Sequence, residues 1–329
     1  MFTSVEICAG AGGQALGLEQ AGFSHLAAVE IDQDACRTLR ANRPEWNIVE
    51  GDLHQWDPSG FAGRVDLFAG GVPCPPFSVA GRGLGADDER DLFPRALEIA
   101  EILNPRAIMI ENVRGLLSEK FAAYRRQILD TLRSRGYVGE WKLLHASDYG
   151  VPQLRPRSVL VALREDIEPF FAWPEELPSK APSVGESLRD LMKARGWAQA
   201  DQWADGAKAI APTLVGGSKK HGGPDLGPTR AKRAWEALGV NGKSIAEEAP
   251  DADFQGLPRL TVRMAARIQG FPDDWKITGR KTAAYRQVGN AFPPPVACAV
   301  ATQIRSALQA ADRGASMAPS ERQMELVLS

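Results

Sequence analysis

The sequence predicts an α/β fold with a doubly wound, mostly parallel sheet and a second, smaller irregular domain. Two observations lead to this prediction. Short apolar runs alternate with amphipathic stretches through the first half of the chain, which is typical of βαβ units. From about residue 165 to 257 the alternation stops, and the chain becomes rich in proline, glycine and tryptophan. A chain of 329 residues is long enough for one sizeable core and a smaller domain.

The individual elements follow from these patterns. Strand-like apolar runs lie at residues 3–8, 26–31, 47–50, 65–69, 107–110 and 158–163. Helical patterns lie at residues 15–21, 34–41, 91–103, 122–135, 262–268 and 296–308. We therefore predict one domain from residues 1–165 together with 259–312, an inserted domain at 166–258, and a flexible polar tail at 313–329.

Composition narrows the class of protein. The hydrophobic content of 44% and charged content of 24% are ordinary for a soluble globular protein. No apolar run is long enough for a transmembrane helix, and the first residues lack the features of a signal peptide. The four cysteines are widely scattered, which indicates neither a disulfide framework nor a metal site. We expect a cytoplasmic protein without a bound metal or a membrane partner.

One local stretch of positive charge stands out against a formal net charge of −2. Between residues 215 and 243 six basic side chains face only two acidic ones, and the basic residues are Lys219, Lys220, Arg230, Lys232, Arg233 and Lys243. A local basic face is enough for nucleic-acid binding. On charge alone, a solvated basic loop explains the stretch equally well.

A glycine-rich turn follows the first predicted strand. Gly10-x-Gly12-x-x-Ala15 fits the dinucleotide fingerprint, and Glu30 ends the next strand about 20 residues later, where a ribose hydroxyl is bound. The third strand ends at Asp52 and Leu53, whose carboxylate and amide can bind the edge of an adenine. These positions predict a nucleotide-like cofactor. A ligand-free tight turn and an ordinary helix N-cap at Asp52 are the alternatives.

The fourth apolar run leads into Pro73-Cys74-Pro75-Pro76. The flanking prolines remove amide donors and resist both helix and sheet, so Cys74 is expected on a stiff, exposed turn. A thiol in such a position is a candidate nucleophile, because the thiolate is the reactive form.

Three further segments carry side chains of chemical interest. Glu111-Asn112-Val113 ends an apolar strand, where burial raises the pKa of an acid. Gln153, Arg155 and Arg157 share one side of an extended segment. Gln287-Val288-Gly289-Asn290 lies near the last helix. Each segment alone also has a structural explanation. Glu111 would be an acid in a structural ion pair, Arg155 and Arg157 would be a surface pair, and residues 287–290 would be a turn at the start of a helix.

Together and in this order, the segments resemble the motif series of the DNA cytosine-5 methyltransferases. The resemblance covers nearly the whole chain except residues 165–257. It implies the fold of the S-adenosylmethionine-dependent methyltransferases, S-adenosyl-L-methionine as cofactor and double-stranded DNA as substrate. The inserted segment matches the position of a target-recognition domain. A restriction-modification role, a cognate restriction endonuclease as a possible partner and action as a monomer follow from the same resemblance.

The resemblance also implies roles for single residues. Cys74 adds to C6 of a flipped cytosine, Glu111 contacts N3 and the exocyclic amine, and Arg157 holds O2 with Arg155 beside it. The implied cofactor residues are Cys8, Gly10, Gly12, Gly13, Glu30, Ile31, Asp52, Leu53, Asn290 and Ala291. The implied DNA contacts are Ser78, Arg82, Thr213, Lys219 and Lys220, although a solvated loop arginine explains Arg82 equally well.

Two features depart from the pattern of this family, and three other functions are alternatives. Many relatives carry an aromatic residue in place of Cys8 and a larger side chain near Ile31, so cofactor packing is expected to be looser. The glycine turn and Glu30 would also fit an NAD-dependent dehydrogenase. A tRNA cytosine-5 methyltransferase shares the motifs, but its Cys-Phe-Thr element has no counterpart here. A non-catalytic DNA-binding relative would not need Cys74, Glu111 and Arg157.

Overall fold

The computed structural model describes residues 1–73, 91–217 and 223–316 of the chain. Its strands are β1 Phe2–Ile7, β2 Phe23–Glu30, β3 Ile48–Glu50, β4 Leu67–Gly70, β5 Ala107–Val113, β6 Tyr137–His145, β7 Gln153–Leu154, β8 Pro156–Arg164 and β9 Ala211–Pro212. Seven of them form one sheet in the order β3-β2-β1-β4-β5-β8-β6. The first five are parallel, and β8 runs antiparallel between β5 and β6. β7 pairs with β9 in a separate two-stranded ladder.

Helices cover both faces of the sheet. They are α1 Gly13–Gln20, α2 Gln33–Asn42, α3 Phe93–Leu103, α4 Ala122–Arg133, α5 Val184–Lys193, α6 Ala200–Gly206, α7 Thr229–Glu236, α8 Val262–Ile268, α9 Lys281–Asn290 and α10 Pro294–Ser316. α1 and α10 pack with Met109 and Val161 of the sheet in one core cluster. α3 and α4 pack with Ile108 and Leu160 in another. The predicted doubly wound, mostly parallel sheet is therefore confirmed.

Three elements differ from the sequence-based expectation. β6 was not predicted, because it is an edge strand in which only Tyr137 and Leu144 are buried, so its apolar pattern is weak. The segment around residues 285–290 forms the end of a helix rather than a turn at a helix entry. α10 continues to Ser316, so residues 313–316 are helical and not part of a tail. The rest of the predicted tail, 317–329, lies outside the described residues.

The inserted segment is more regular than expected. Residues 166–258 contain α5, α6 and α7, and α5 begins with a capping box between Ser183 and Glu186. The buried residues Val184 and Trp235 of this segment belong to the same hydrophobic cluster as Tyr285 of α9. Its core is thus continuous with α8 and α9, and the division of the chain into domains stays a prediction. Among the described residues, no helix is long and apolar enough to cross a membrane.

Residues 213–217, which we call the strap, pack tightly on α9. A Cβ atom built on Gly289 would lie 2.4 Å from the backbone nitrogen of Gly216. A Cβ atom on Gly216 would lie 2.5 Å from the carbonyl oxygen of Arg286. Since neither distance is tolerated between real atoms, both positions require glycine. The contact fixes the start of the basic stretch against the helix that precedes Ala291.

Gly289→Ala is expected to lower the free energy of unfolding by about 2 kcal/mol, because the added methyl group overpacks the contact with Gly216. Gly206→Ala is the matched control, since Gly206 is also helical and its Cβ atom would meet no atom within 4 Å. Alanine there should leave stability unchanged or raise it. Urea denaturation of both variants measures the difference. Equal stability of the two variants would contradict the packing described here.

Candidate active site

A cleft of about 550 Å³ opens at the carboxyl ends of the parallel strands, where ligands bind in open α/β sheets. Nine of the predicted cofactor residues line it, namely Cys8, Gly10, Gly13, Glu30, Ile31, Asp52, Leu53, Asn290 and Ala291. The same cleft is lined by Pro73, Glu111 and Arg157. The structure therefore brings the predicted cofactor residues and two of the predicted catalytic side chains together in one space.

The glycine turn shapes one wall of the cleft. Cys8 has a φ of 52°, a left-handed conformation that is uncommon for a residue with a side chain. Gly12, the N-cap of α1, has a φ of 83°, and its Cβ atom would lie 2.7 Å from the Leu39 side chain. Gly12 is the one residue of the ten predicted for the cofactor that does not line the cleft. It allows the sharp entry into α1 that brings Gly13 to the wall.

Glu30 ties this turn to the end of β2. Its Oε2 atom accepts a hydrogen bond from the Gly10 amide at 2.8 Å, and its Oε1 atom accepts one from the Asp32 amide at 2.7 Å. Burial raises the pKa of Glu30 above its usual value, although both amides favour the charged form. The carboxylate therefore stands at the cleft with a fixed orientation.

The end of β3 and the residue after β2 form the neighbouring wall. Asp52 lines the cleft, and its Oδ1 atom accepts a hydrogen bond from the His54 amide at 2.9 Å. The residues after Asp52 form a turn and not a helix, so Asp52 is not the helix N-cap given as the alternative, and its carboxylate borders the cleft. Ile31 also lines the cleft and is 65% exposed, so its side chain offers an open apolar surface.

Glu111 and Arg157 form a buried ion pair on one face of the sheet. In the antiparallel register of β5 and β8, Val113 lies opposite Arg157, so Glu111 is the diagonal neighbour of Arg157. Arg157 Nε lies 2.7 Å from Glu111 Oε1, and the side chains are only 12% and 11% exposed. Burial raises the pKa of Glu111, although the charges of Arg157 and Arg155 oppose the shift. The acid can therefore carry a proton closer to neutral pH than an exposed glutamate.

The chain that leads to Cys74 passes directly over this pair. A Cβ atom on Gly71 would lie 3.2 Å from Glu111 Oε2, so the backbone approaches the carboxyl closely. Asn112 Nδ2 donates a hydrogen bond to the Val72 carbonyl oxygen at 2.8 Å and holds the segment on the end of β5. Cys74 itself lies outside the described residues, as do Ser78 and Arg82. Its neighbour Pro73 lines the cleft.

Arg155 occupies a different place from the one expected beside Arg157. Its side chain is fully buried and does not line the cleft. The guanidinium donates hydrogen bonds to the carbonyl oxygens of Leu214 at 2.8 Å, Gly289 at 2.9 Å and Ala291 at 3.0 Å. These contacts join the strap to the end of α9, so the structure makes Arg155 a positioning residue rather than a group that faces a substrate.

Arg155→Met is expected to lower the free energy of unfolding by about 3 kcal/mol, because three buried carbonyl oxygens lose a charged donor. Arg259→Met is the matched control, since Arg259 is exposed. Thermal and urea denaturation of the two variants measure the difference. If Arg155→Met were as stable as Arg259→Met, the guanidinium would not hold the strap.

The predicted DNA contacts are only partly within the described residues. Lys219 and Lys220 lie outside them. The Thr213 hydroxyl donates to the Leu154 carbonyl oxygen, which fastens β9 to β7, and Thr213 does not line the cleft. In α7, Arg230 and Arg233 are exposed. The described part of the basic stretch thus presents cations to solvent next to the strap.

Several residues of the cleft have no site role in the sequence-based prediction, namely Glu6, Gln14, Asp32, Asn112, Arg286, Gln287 and Phe292, although Asn112 and Gln287 belong to predicted motifs. Arg286 of α9 forms an ion pair with Asp32 at 3.2 Å and closes one side of the cleft. Glu6 could have been noticed as a charged residue within an apolar strand. The others depend on contacts between distant segments. Within residues 1–73, 91–217 and 223–316, no group of side chains is arranged to hold a metal ion.

Comparison with known proteins agrees with this geometry. The family model of the C-5 cytosine-specific DNA methylases matches residues 2–306. The chain is 58% identical to the type II methyltransferase M.NaeI of Lentzea aerocolonigenes over 317 residues, which cover 94% of this chain and 76% of the relative. It is 55% identical to the type II methyltransferase M.NgoMIV of Neisseria gonorrhoeae over 311 residues, which cover 94% of this chain and 98% of the relative.

Solved structures show the same fold. A putative DNA modification methyltransferase of an Escherichia coli prophage aligns with a TM-score of 0.65 at 22% identity, over 94% of this chain and all of the other. DNMT2 of Spodoptera frugiperda aligns with a TM-score of 0.61 at 20% identity, over 94% of this chain and 99% of the other. The family match and the two close relatives set the dehydrogenase alternative aside. The chain belongs to the C-5 cytosine-specific DNA methylase family, enzymes that use S-adenosyl-L-methionine as the methyl donor.

Proposed function

We propose that this enzyme methylates carbon 5 of a cytosine flipped out of duplex DNA, through a covalent adduct between Cys74 and C6. The observation that carries the proposal is that the predicted cofactor residues and the predicted catalytic residues border the same cleft. Glu30 and Asp52 border it, and so do the Glu111–Arg157 pair and Pro73, which precedes Cys74. A methyl donor and a base can therefore share one space.

The residues of the cleft fit S-adenosyl-L-methionine. The cleft volume of about 550 Å³ is within the range of small-molecule sites. Gly13 lets the Phe292 backbone pack closely on the first turn of α1, since a Cβ atom there would lie 2.2 Å from the Phe292 carbonyl oxygen. Glu30 would accept hydrogen bonds from the ribose, Ile31 would pack on the adenine, and Asp52 with Leu53 would bind its edge. Cys8, Gly10 and Gly13 would surround the methionine end, with Asn290 and Ala291 opposite, and Gly12 would act indirectly by shaping the turn. When bound, the cofactor supplies an electrophilic methyl group.

Cytosine C5 is a poor nucleophile, so the base must be activated. The Cys74 thiolate attacks C6, which places electron density on C5 and lets C5 attack a methyl group. Glu111 would contact N3 and the exocyclic amine and stabilise the adduct, since its pKa is raised by burial. Arg157, held 2.7 Å from Glu111, would bind O2. Loss of the C5 proton to a base or water and elimination of the thiolate then restore the ring.

These contacts require that the base leaves the helix. C5 and C6 of a stacked cytosine cannot reach a cleft that lies at the edge of a sheet, so the nucleotide must be turned out of the duplex. Ser78 and Arg82, which follow Cys74 in the chain, are proposed to contact the DNA around the opened position. Both belong to a glycine-rich, charged stretch of the sequence.

The inserted segment is proposed to select the DNA sequence. Thr213 is the first residue of the strap, and Lys219 and Lys220 come shortly after the strap in the sequence. The exposed Arg230 and Arg233 of α7 follow them. Cations of this kind bind phosphates and make affinity dependent on salt, while a few side chains read base edges.

Two relatives above 50% identity bear the name type II methyltransferase, which supports a restriction-modification role with a cognate endonuclease. We propose action as a monomer on DNA in the cytoplasm.

Bisulfite sequencing of a plasmid from cells that express this chain tests the proposal. The expected result is complete methylation of one cytosine within one short recognition sequence. Cells that express the Cys74→Ala variant are the control and should yield unmethylated plasmid. Unmethylated plasmid from cells with the intact chain, together with cytosine-5 methylation of their tRNA, would overturn the proposal in favour of an RNA substrate.

A further inference from the structure

The wall of the cleft proposed to bind adenine is a turn and not a strand or a helix. Asp52 and Leu53 line the cleft, and they belong to residues 51–58, which lie between β3 and the following 3₁₀ helix. Within the turn, the amides of Gln55 and Trp56 donate to the Asp52 carbonyl oxygen at 3.0 and 3.1 Å. A binding site on a loop keeps its geometry only when contacts from a rigid element support it. The turn therefore needs a support outside the cleft.

Arg95, in the first turn of α3, contacts this turn without lining the cleft. Its Nε atom donates a hydrogen bond to the Leu53 carbonyl oxygen at 3.1 Å, and its Nη2 atom donates one to the Trp56 carbonyl oxygen at 2.8 Å. Its Nη1 atom lies 3.0 Å from Glu98 Oε2, and the Arg95 side chain is only 16% exposed. Because the donors of a guanidinium form a rigid, planar fork, Arg95 holds both carbonyl oxygens in fixed positions relative to α3.

The carbonyl group that Arg95 holds belongs to the residue whose amide is proposed to bind the adenine edge. Fixing the Leu53 carbonyl group restricts the backbone on both sides of its Cα atom, and so restricts the direction of its amide. The Leu53 side chain packs in the same hydrophobic cluster as Phe93 of α3. The carboxylate of Glu30, the proposed ribose contact, is instead oriented by two amides of other segments. A change at Arg95 should therefore act on the adenine contacts and not on the ribose contact.

We propose that Arg95 is a positioning residue for recognition of the adenine base. It holds the turn so that the Asp52 carboxylate accepts a hydrogen bond from the 6-amino group and the Leu53 amide donates one to N1. The proposal rests on the proposed function and deepens it, because it assigns the side chain that selects adenine through the backbone of another segment. Arg95 touches neither the methyl group nor the cytosine, so it affects binding of the cofactor and not the rate of methyl transfer at saturation.

Isothermal titration calorimetry of the full-length protein tests the assignment with two probes, S-adenosylhomocysteine and S-inosylhomocysteine. The inosine analogue carries a 6-oxo group and a proton on N1, so it presents an acceptor to the Asp52 carboxylate and a donor to the Leu53 amide. The wild type should therefore bind S-adenosylhomocysteine at least about 10-fold more tightly than the analogue.

Arg95→Met should weaken S-adenosylhomocysteine about 10-fold, because the turn is no longer held in its binding geometry, and should change the affinity for the analogue less than about twofold. Arg95→Lys can reach only one of the two carbonyl oxygens and should weaken S-adenosylhomocysteine about threefold. In methylation assays, Arg95→Met should raise the KM for S-adenosyl-L-methionine about 10-fold and leave kcat within about twofold.

Arg135→Met is the matched control. Arg135 also donates to a main-chain carbonyl oxygen of α3, that of Leu97 at 2.7 Å, but it does not line the cleft or contact the turn. Its replacement should leave the affinity for both probes unchanged. If Arg95→Met does not fold, the comparison with Arg135→Met is made with Arg95→Lys.

Wild-type affinity of the Arg95 variants for S-adenosylhomocysteine, or an equal loss for both probes, would overturn the assignment while the proposed function stands. Equal binding of the two probes by the wild type would overturn it as well, since the turn would then not select adenine. A wild-type protein that binds no S-adenosylhomocysteine would overturn both the assignment and the proposed function.

Discussion

Replacement of Cys74 by alanine is expected to reduce methyl transfer to DNA by about 10⁴-fold or more, the usual scale for the loss of a covalent nucleophile. The thiolate must add to C6 before C5 can attack the methyl group, and alanine cannot form that bond. Affinity for S-adenosylhomocysteine should stay within about twofold, because the cleft keeps its other contacts. Transfer of tritiated methyl groups to plasmid DNA and calorimetry measure the two effects.

Cys298→Ala is the matched control for this variant. Cys298 is a partly buried cysteine of α10 and does not line the cleft. Its replacement should leave methyl transfer unchanged. Full activity of Cys74→Ala, in a preparation free of wild-type protein, would end the covalent mechanism. A parallel loss of cofactor binding would instead assign Cys74 a role in shaping the cleft.

Glu111→Gln is expected to slow methyl transfer by about 10²-fold to 10⁴-fold, the range for removal of a positioned general acid. Glutamine keeps the size of the side chain but cannot hold and return a proton at N3. It also leaves the buried Arg157 without the carboxylate that lies 2.7 Å away. Single-turnover methylation of plasmid DNA measures the rate, and an unchanged rate would refute the assigned role.

The raised pKa of Glu111 adds a dependence on pH. Because burial favours the protonated acid, that form persists to higher pH than in an exposed glutamate and is lost as the pH rises through the raised pKa. The kcat/KM of the wild type should therefore decline on the alkaline side of this pKa, and Glu111→Gln should lack that decline. Glu98→Gln, a change of an exposed acid on α3 away from the cleft, should keep the wild-type profile.

Much of the fold and half of the site could be predicted, because the signals are local in sequence. Parallel strands buried on both faces read as apolar runs, and the residue that follows each run must lie at one edge of the sheet. The positions of Glu30, Asp52 and Glu111 can be predicted in this way, since each lies within two residues of the end of such a run. The glycine turn likewise predicts the start of α1, because this signal is also local in sequence.

The misplaced and missed residues depend on distant segments. Arg155 was grouped with Arg157 by spacing, but its three carbonyl partners lie 59, 134 and 136 positions away in the chain. Gln14 resembles any polar residue of a first helical turn, and its burial comes from the surrounding fold. Sequence spacing cannot show such contacts, because they exist only once the strap and α9 have packed together.

The proposed mechanism requires that Cys74 attacks a flipped cytosine beside Glu111 and Arg157. The most direct test uses a DNA duplex with 5-fluorocytosine at the methylated position found by bisulfite sequencing, incubated with the enzyme and S-adenosyl-L-methionine. Fluorine at C5 cannot leave as a proton does, so the adduct should persist. We predict one covalent enzyme–DNA complex on a denaturing gel, with the nucleotide attached to the Cys74 peptide in mass spectrometry. Complete methylation of ordinary DNA by an enzyme that forms no such complex, or attachment at another residue, would contradict the account.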